Sequence, residues 1–510
     1  MEPYDAIDEI DVFTPAVRAF EALKTDLAGP TTAHLAHHEL EEMLTEQGRE
    51  LQRLLFQAHL DLRARREEQA SPAVVHGHDH QPRPHREKGH RRLLACVFGT
   101  VTVKRCVWRG KGLSGVRPAD AALSLPAGRH SHQLARLAVL EAVRGSYDQA
   151  KTAIEQRCGK VLGKRQAEQL VVAAARDIDA FYQQKIPLPA SADTLLVMQV
   201  DGKGVVMRPD GLREATRRKA EAATRTLRCR LAPGEKANRK RMATLACVFD
   251  ADPAPRRPHD IIAPPDGRSG QRERRKGPQA RAKWLTASVV QDADRVVSDA
   301  FDQAEDRDPH HRRCWVALVD GARHQLDLLH TEADRRGIEL HVLLDFVHVS
   351  EYCWAAAHAL HQPGTPEAEA WVGAQLTTIL HGQAARAAAE MTHQADRAGL
   401  TGSKREAIDK CVHYLTGHLD QLHYDTALAA GWPIATGAIE GAARHIVGDR
   451  LEITGSRWGL PGAEAILGLR ALIDNGDFDT YWTYHLHTEH DRLYPTPETG
   501  PDQHNYGLTT

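Results

Sequence analysis

The sequence predicts a mixed α/β protein of several domains, in which mainly helical regions precede an α/β core. The chain has 510 residues, more than one hydrophobic core usually supports. From residue 189 onwards, short apolar runs alternate with helical segments, a pattern typical of strands and helices that share a sheet. Residues 349–430 are rich in alanine and have no strand-like pattern, which predicts a helical insertion within that core.

The composition is that of an ordinary globular protein, with 42% hydrophobic and 26% charged residues. No apolar run approaches the roughly 20 residues of a membrane-spanning helix, and the acidic first residues lack the pattern of a signal peptide. The eight cysteines are scattered without a C-x-x-C pair, which favours reduced thiols over a zinc site. We therefore expect a cytoplasmic protein with no membrane partner.

Residues 1–70 form the first predicted region, which is helical. Its leucines recur at spacings of four and seven, an arrangement that resembles a coiled-coil seam: Leu40, Leu44, Leu51, Leu55 and Leu62. Two interpretations are open, a short dimerisation seam or packing within the same domain.

Residues 71–118 are predicted to combine a histidine-rich linker with short strands. The linker contains five histidines and is broken by proline: His76, His78, His80, His85 and His90. Without cysteine partners, a solvated linker is favoured over a metal site. Residues 93–108 predict one or two strands around Gly99.

Residues 119–188 predict a helical, DNA-binding region. Ser146 is placed to cap one helix, and the glycines at 159 and 163 end it. The next helix opens with Lys164 and Arg165, which suits a helix-turn-helix motif that contacts DNA. A plain pair of antiparallel helices is the alternative.

Residues 189–348 and 433–510 are predicted to form the two parts of the core, separated by the insertion at 349–432. We expect strands at 195–200, 204–207 (as the hairpin partner of the first), 242–251, 283–290, 314–319 and 339–344, with a helix over 324–336. A further helix after Pro433 contains Glu440. The last segment includes a C-terminal tail.

Carboxylates follow the apolar runs of this core. The motif Val-Asp-Gly occurs twice, at Asp201 and at Asp320, and Asp345 follows a third run. Magnesium prefers hard oxygen ligands, and strand ends of one sheet could hold two ions roughly 4 Å apart for phosphoryl transfer. The alternative is that each Asp-Gly pair only forms a turn.

Two strongly basic segments lie in the core, over residues 213–241 and 256–283. The first ends in Arg239, Lys240 and Arg241. Such segments attract phosphate backbones, although solvated loops are the alternative. The whole chain carries a net charge of only −2, so any attraction to DNA is local.

Five long segments of the core form an ordered series: QVDGKGVVM, GEKANRKRMATLACVFDADP, VALVDGARHQL, DFVHVSEYCWAAA and TGAIEGAARHIVGDRLEITGSRWGLPGAEAILGLRAL. Together they resemble the landmarks of ISKra-type insertion-sequence transposases. The resemblance extends from about Leu93 to about Pro495. That family belongs to the DDE superfamily, is related to Mutator-like elements and has an RNase H-like core, which the resemblance implies here.

The resemblance also implies roles for single residues. Asp201, Asp320 and Glu440 would be the catalytic carboxylates and the ligands of two Mg²⁺ ions, for which Mn²⁺ could substitute. Asp345 and His348 match the C/D-x-x-H signature of Mutator-like transposases, where the histidine contacts DNA or supports the site. Two alternatives are open: Asp345 could be the second ligand, and Glu440 could be a first-turn glutamate favoured by the helix dipole.

Further residues near these motifs are candidates for DNA contacts. Arg444 should share a helix face with Glu440 and either hold the scissile phosphate or pair with the glutamate. Arg457 and Trp458 could contact DNA, although the core is the better expectation for the tryptophan. Lys203 could contact DNA or be structural.

The implied function is that of a DNA transposase from a bacterial insertion sequence. It would bind double-stranded element ends and target DNA, cleave and join strands, act as a homodimer, and associate with the nucleoid. A catalytically inactive, transposase-derived DNA-binding protein is the alternative. A glycoside hydrolase is disfavoured because aromatic residues make up only 5% of the chain.

Overall fold

The computed structural model describes residues 9–69, 74–187, 190–222, 239–262, 274–453 and 455–495. These residues form two compact units. The first contains the described residues up to Gln184 together with the C-terminal helix, and the second contains those from Lys185 to Asp477. Within the described ranges, every helix is too short or too polar to cross a membrane.

The first unit contains helices around one β-hairpin. Its elements are α1 (Glu9–Ala28), α2 (His37–Gln69), β1 (Val75–His76), β2 (Pro82–Arg83), β3 (His85–Cys96), β4 (Gly99–Arg109), α3 (Pro118–Ala122), α4 (His132–Arg144), α5 (Tyr147–Cys158), α6 (Lys164–Ala174), α7 (Ile178–Gln184) and the C-terminal helix (Phe478–Leu493).

The leucines of α2 do not form one continuous packed face. Leu44 and Leu55 are 42% and 45% exposed, whereas Leu62 is buried. The buried residues of α2 all lie in its C-terminal half, where Leu60 packs against Leu94 and Val101 of the hairpin. Packing within the unit therefore accounts for that half of the helix, and a dimerisation seam stays a prediction.

The hairpin formed by β3 and β4 is longer than expected. The prediction of a histidine-rich linker up to His90 is wrong for its last part, because β3 begins at His85, which pairs with Arg109. The first residues of β3 are polar, so periodicity does not predict a strand there. β4 pairs the backbone of these residues, and their exposed side chains need no apolar alternation. Among the described residues, these histidines form no group of three metal ligands.

Helices α4 to α7 follow the predicted helical region with one correction. Ser146 caps α5 and forms a reciprocal capping box with Gln149, as predicted. The helix predicted to open with Lys164 and Arg165 is instead divided into two helices, α6 and α7. The break lies at Asp177, whose carboxylate accepts hydrogen bonds from His485 and Arg492 of the C-terminal helix. A long-range contact therefore interrupts a locally favourable helix.

The second unit alternates strands and helices and then becomes helical. Its elements are β5 (Leu195–Val206), α8 (Glu214–Ala222), β6 (Lys240–Ala251), α9 (Pro258–Ile261), β7 (Arg281–Ser288), α10 (Ala293–Arg307), β8 (Trp315–Val319), α11 (Arg323–Arg336), β9 (Leu340–Leu344), α12 (Phe346–Leu360), α13 (Pro366–Leu380), α14 (Ala384–Arg397), α15 (Gly402–Thr416), α16 (Tyr424–Ala430), α17 (Gly437–Ala442), a π-helical segment (Ala443–Gly448), α18 (Asp449–Leu451) and α19 (Leu460–Asp474).

The five strands of this unit form one mixed sheet in the order β7-β6-β5-β8-β9. The pairs β5–β6 and β6–β7 are antiparallel, and β8 and β9 are parallel to β5. The predicted hairpin within residues 195–207 is wrong. The chain continues as a single strand, because β6 pairs with β5 along its whole length, from Leu195 with Ala251 to Val206 with Lys240.

The centre of the sheet is buried on both faces. All five residues of β8 and the first six of β5 are buried, as expected for strands covered by helices on both sides. The helical insertion predicted over residues 349–432 is observed as α12 to α16. The sheet and this insertion together position the carboxylates.

Candidate active site at the carboxyl ends of the parallel strands

Three aspartates lie at the same level of three neighbouring parallel strands. Gln199 of β5 is paired with Leu318 of β8, and Val319 of β8 is paired with Leu344 of β9. Asp201 and Asp320 lie two residues after the first pair, and Asp320 and Asp345 lie one residue after the second. The three aspartates are therefore side by side on neighbouring strands. Asp201 is therefore beside Asp320, as predicted, although it lies within a strand rather than at its end.

The ionisation of Asp201 reflects this proximity. Burial raises the pKa of Asp201, and the negative charge of Asp320 raises it further, although the Gly202 N–H and the charges of His348 and Lys203 oppose the shift. Repulsion between two neighbouring carboxylates favours a proton or a cation between them.

Glu440 lies in α17, which follows the helical insertion in the chain. One ligand atom each of Glu440, Asp345 and His348 lies within 4.8 Å of the others, and this is the one group of three such ligands among the described residues. Asp201 and Asp320 are not part of it, so the described residues do not bring the predicted set of Asp201, Asp320 and Glu440 together at that distance. Glu440 is also in the first turn of α17, so the helix dipole stabilises it as well. The dipole alone does not account for its position beside Asp345 and His348.

Asp345 is fully buried and uses both of its carboxylate oxygens within the protein. Oδ1 accepts hydrogen bonds from the backbone N–H of Val347 at 3.2 Å and of Thr436 at 3.0 Å. Oδ2 contacts the backbone nitrogen and ring Nδ1 of His348, both at 3.3 Å. Asp345 therefore caps α12 and fastens the segment before Glu440.

The other three carboxylates each have one engaged oxygen. Oδ1 of Asp201 accepts from the Gly202 N–H at 2.6 Å, and Oδ1 of Asp320 from the Ala322 N–H at 2.9 Å. Oε1 of Glu440 accepts from the Thr436 hydroxyl at 2.9 Å, while no hydrogen bond from a described residue reaches the second oxygen of any of the three. Asp201, Asp320 and Glu440 therefore retain ligand capacity that Asp345 lacks.

His348 lies at this edge of the sheet, beside Asp345. Burial lowers the pKa of His348, but the hydrogen bond and charge of Asp345, together with the charges of Glu351 and Asp320, outweigh burial and raise it. The imidazole side chain is 39% exposed, so its free ring nitrogen is accessible to a ligand.

Gln199 is a positioning residue that sequence reasoning missed. It is 1% exposed, and its Oε1 accepts from the Ile439 N–H at 2.9 Å while Nε2 donates to the Ala435 oxygen at 3.3 Å. These bonds fasten the start of α17 to β5. The signal was available: Gln199 is the one polar residue of the run LLVMQV, two positions before Asp201.

Tyr414 and His418 of the helical insertion were also missed. The Tyr414 hydroxyl donates to the backbone oxygen of Asp320 at 2.8 Å, and His418 Nε2 lies 3.1 Å from the Gly321 oxygen. Gly321 has a φ of +93°, a left-handed conformation that favours glycine. The insertion therefore fixes the turn that presents the Asp320 carboxylate.

The residues predicted to surround Glu440 have mixed outcomes. That Arg444 shares a helix face with Glu440 stays a prediction, since the chain becomes π-helical from Ala443 to Gly448. Arg444 is exposed and has no ion pair with Glu440 among the described residues. Arg457 is exposed, whereas Trp458 is buried and donates to the Leu451 oxygen at 3.0 Å, as expected for a core residue.

Arg241, a predicted phosphate contact, is half-buried. Its guanidinium donates to the backbone oxygens of Val289 at 2.5 Å and Gly211 at 3.4 Å, and the phosphate contact stays a prediction. Lys240 is exposed, 3.8 Å from Glu452, and Arg239 is half-buried. Residues 223–238 and 263–273, which belong to the two basic segments, lie outside the described residues.

The predicted DNA-binding helix α6 does present its first residues to solvent. Lys164 and Arg165 are both exposed, and the Lys164 Nζ lies 2.5 Å from an Asp148 oxygen. Lys203, in the second unit, lies 3.9 Å from Glu452. None of these contacts would prevent a phosphate from replacing the carboxylate partner.

Comparison with protein-family models and with curated proteins finds no match for this chain.

Proposed function

We propose that this protein is a DDE-type transposase of a bacterial insertion sequence, which binds double-stranded DNA and cleaves and joins its strands with Mg²⁺. The observation that carries the proposal is the set of three carboxylates, Asp201, Asp320 and Glu440, each with an oxygen that accepts no hydrogen bond from a described residue. Asp201 is in β5, Asp320 directly follows β8 and Glu440 is in α17, so elements of one unit position all three.

The sheet supports an RNase H-like core as part of this proposal. Its order, three antiparallel strands followed by two strands parallel to the first, is the order expected for that fold. The helical insertion lies between β9 and the helix of Glu440, as the resemblance to ISKra-type transposases implies.

The donor set fits magnesium. Three carboxylates with available oxygens are hard ligands, and the raised pKa of Asp201, caused by burial and by Asp320, indicates a site where a cation would relieve repulsion. Asp201, Asp320 and Glu440 would hold two ions, Mg²⁺ or Mn²⁺. When bound, such ions activate water and stabilise the charge on the attacking and leaving oxygens.

The protein's own groups would position the DNA and the carboxylates. Asp345 and Gln199 hold the segment that carries Glu440. His348, with its raised pKa, would donate a hydrogen bond to a phosphate oxygen. Lys164 and Arg165 of α6 would contact the backbone of the element end, and a dimer would bring two ends together.

Strand cleavage on labelled element ends tests the proposal. Asp201→Asn, Asp320→Asn and Glu440→Gln should each abolish Mg²⁺-dependent cleavage while the Kd for the same DNA stays within about twofold, because the substitutions retain shape and remove charge. Mg²⁺ should raise the Tm of the unsubstituted protein, since it binds only the folded state.

Asp327→Asn and Glu369→Gln, at exposed positions of α11 and α13, are matched controls and should cleave normally. Full cleavage by any of the three site variants would refute the assignment of that residue. An equal rise in Tm with Mg²⁺ in all of them would show that the ion binds elsewhere.

A further inference from the structure

A second candidate site lies in the same unit, at the opposite end of β5 from Asp201. It is a cavity of about 710 Å³ lined by the segment before β5, the end of β6, the start of β7 and the end of α10. That volume is within the range of small-molecule sites, about 300–1,000 Å³. The cavity shares no lining residue with the carboxylate site.

Two buried arginines at this cavity share one carboxylate. Nη2 of Arg313 lies 2.6 Å from Oδ1 of Asp250, and Nη1 of Arg307 lies 3.4 Å from Oδ2. The arginine side chains are only 2% and 7% exposed. Asp308 places a second carboxylate beside Arg313, whereas Arg307 is the arginine that lines the cavity.

The guanidinium of Arg307 is incompletely satisfied. Its Nε is buried without a hydrogen-bond partner among the described residues, and so is Nη1 of Arg313. Burial lowers the pKa of Arg307, and the charge of Arg313 lowers it further, while Asp250 opposes the shift. Buried charges without full compensation are unfavourable, so an anion in the cavity would stabilise this arrangement.

The start of β7 adds cationic side chains to the same wall. The residues 281–284 all line the cavity, although a regular strand would present only alternate residues. The pairing of β6 with β7 is irregular between Val248 and Asp250, and Ala282 has a φ of +47°. Strained conformations of this kind cluster at functional sites.

These cations differ in whether they are already paired. Arg281 lies 2.5 Å from an Asp252 oxygen, and Lys185 is paired with Asp477. Lys283 is exposed and has no ion pair among the described residues. Lys283 is therefore available to a ligand as an unpaired cation, and Arg307, which shares Asp250 with Arg313, is available through its unsatisfied Nε.

We infer that this cavity binds a phosphate group between Arg307 and Lys283, supplied either by a phosphorylated small molecule such as a nucleotide or by a DNA backbone. A phosphate offers several acceptor oxygens and up to two negative charges, which suit a guanidinium on one side and an ammonium on the other. The inference does not depend on the proposed transposase activity.

Calorimetric titration of the full-length protein tests this inference, with inorganic phosphate, AMP and a short DNA duplex as probes at constant ionic strength. Lys283→Glu reverses an exposed charge and should leave the fold intact, and Lys404→Glu at an exposed position of α15 is the matched control. Loss of a charge-assisted contact should weaken binding about tenfold or more in Lys283→Glu and in Arg307→Gln, and less than about twofold in Lys404→Glu.

The source of the phosphate follows from which probe responds. Weaker binding of AMP or phosphate by Lys283→Glu than by Lys404→Glu supports a small-molecule site, and the same difference with the duplex alone supports a backbone contact. If no probe binds, or if all bind equally well to Lys283→Glu and Lys404→Glu, the inference is refuted. Because none of these readouts is cleavage, the result does not depend on the carboxylate site.

Discussion

Asp345→Asn separates a positioning carboxylate from a metal ligand. Asparagine retains the shape of the side chain and one oxygen, so the bonds from Val347 and Thr436 to Oδ1 can persist. The second oxygen becomes an NH₂ group, which cannot accept from the backbone N–H of His348. One donor in the first turn of α12 is then left without its acceptor.

The expected loss of stability follows from these contacts. An unsatisfied buried donor costs about 1–3 kcal/mol, and removal of the negative charge from the helix N-terminus costs roughly 0.3–1 kcal/mol. We expect Asp345→Asn to lower the free energy of unfolding by about 1–4 kcal/mol.

Asp320→Asn should behave in the opposite way. The bond from the Ala322 N–H to Oδ1 of Asp320 can persist, and its second oxygen has no partner to lose among the described residues. The substitution also removes the charge that raises the pKa of Asp201. We therefore expect a stability within about 0.5 kcal/mol of the unsubstituted protein, or a higher one, as for a change that leaves no group unpaired.

Two measurements on the same proteins give the comparison. Urea denaturation without metal reports stability, and calorimetric titration with Mn²⁺ reports affinity. Asp345→Asn should be less stable and bind Mn²⁺ about 10- to 100-fold more weakly, as for loss of a residue that orients ligands. Asp320→Asn should retain stability and lose measurable binding. If Asp345→Asn instead keeps its stability and loses Mn²⁺ while Asp320→Asn still binds it, Asp345 is the ligand and the argument fails.

Three further predictions concern other parts of the chain. Gln199→Leu should lower the free energy of unfolding, measured by urea denaturation, by about 1–3 kcal/mol. It should also reduce kcat without changing the Kd for DNA, and an unchanged kcat would show that the bonds between Gln199 and the start of α17 are dispensable. Lys240→Gln should lower the slope of log affinity for DNA against log salt concentration by about one unit. Arg241→Gln loses bonds to backbone oxygens, so it should lower Tm and leave that slope unchanged. A filter-binding titration in which Arg241→Gln lowers the slope and Lys240→Gln does not would identify Arg241 as the phosphate contact. Burial would raise the pKa of Asp177, but His485 and Arg492 outweigh burial and lower it. The ionised Asp177 therefore stabilises the folded protein at a pH above the pKa of this group in the unfolded chain. That stabilisation is lost as pH falls through the lower pKa of the folded state. The Tm difference between Asp177→Asn and the unsubstituted protein should therefore shrink with acidification, and a constant difference from pH 6 to pH 2 would contradict this.

The sequence determined the main elements of the second unit and the candidate residues within them. Strands such as β8 are continuous apolar runs because they are buried on both faces, so their position could be predicted from local composition. The same holds for Ser146, whose cap is a contact within one turn. Asp201 and Asp320 were found because a carboxylate directly after an apolar run is visible in the sequence alone.

Only the tertiary structure decided which atoms are available for chemistry. One bond to Oδ1 of Asp345 comes from Thr436, which is 91 residues away in the chain, and the bond from the Ile439 N–H to Gln199 spans 240 residues. The inward side chain of Arg241 and the unbroken course of β5 likewise depend on partners supplied by distant strands. Local patterns report what a residue prefers to bury, but the hydrogen-bonding capacity of a carboxylate or a guanidinium is shared among segments that meet only in the folded chain.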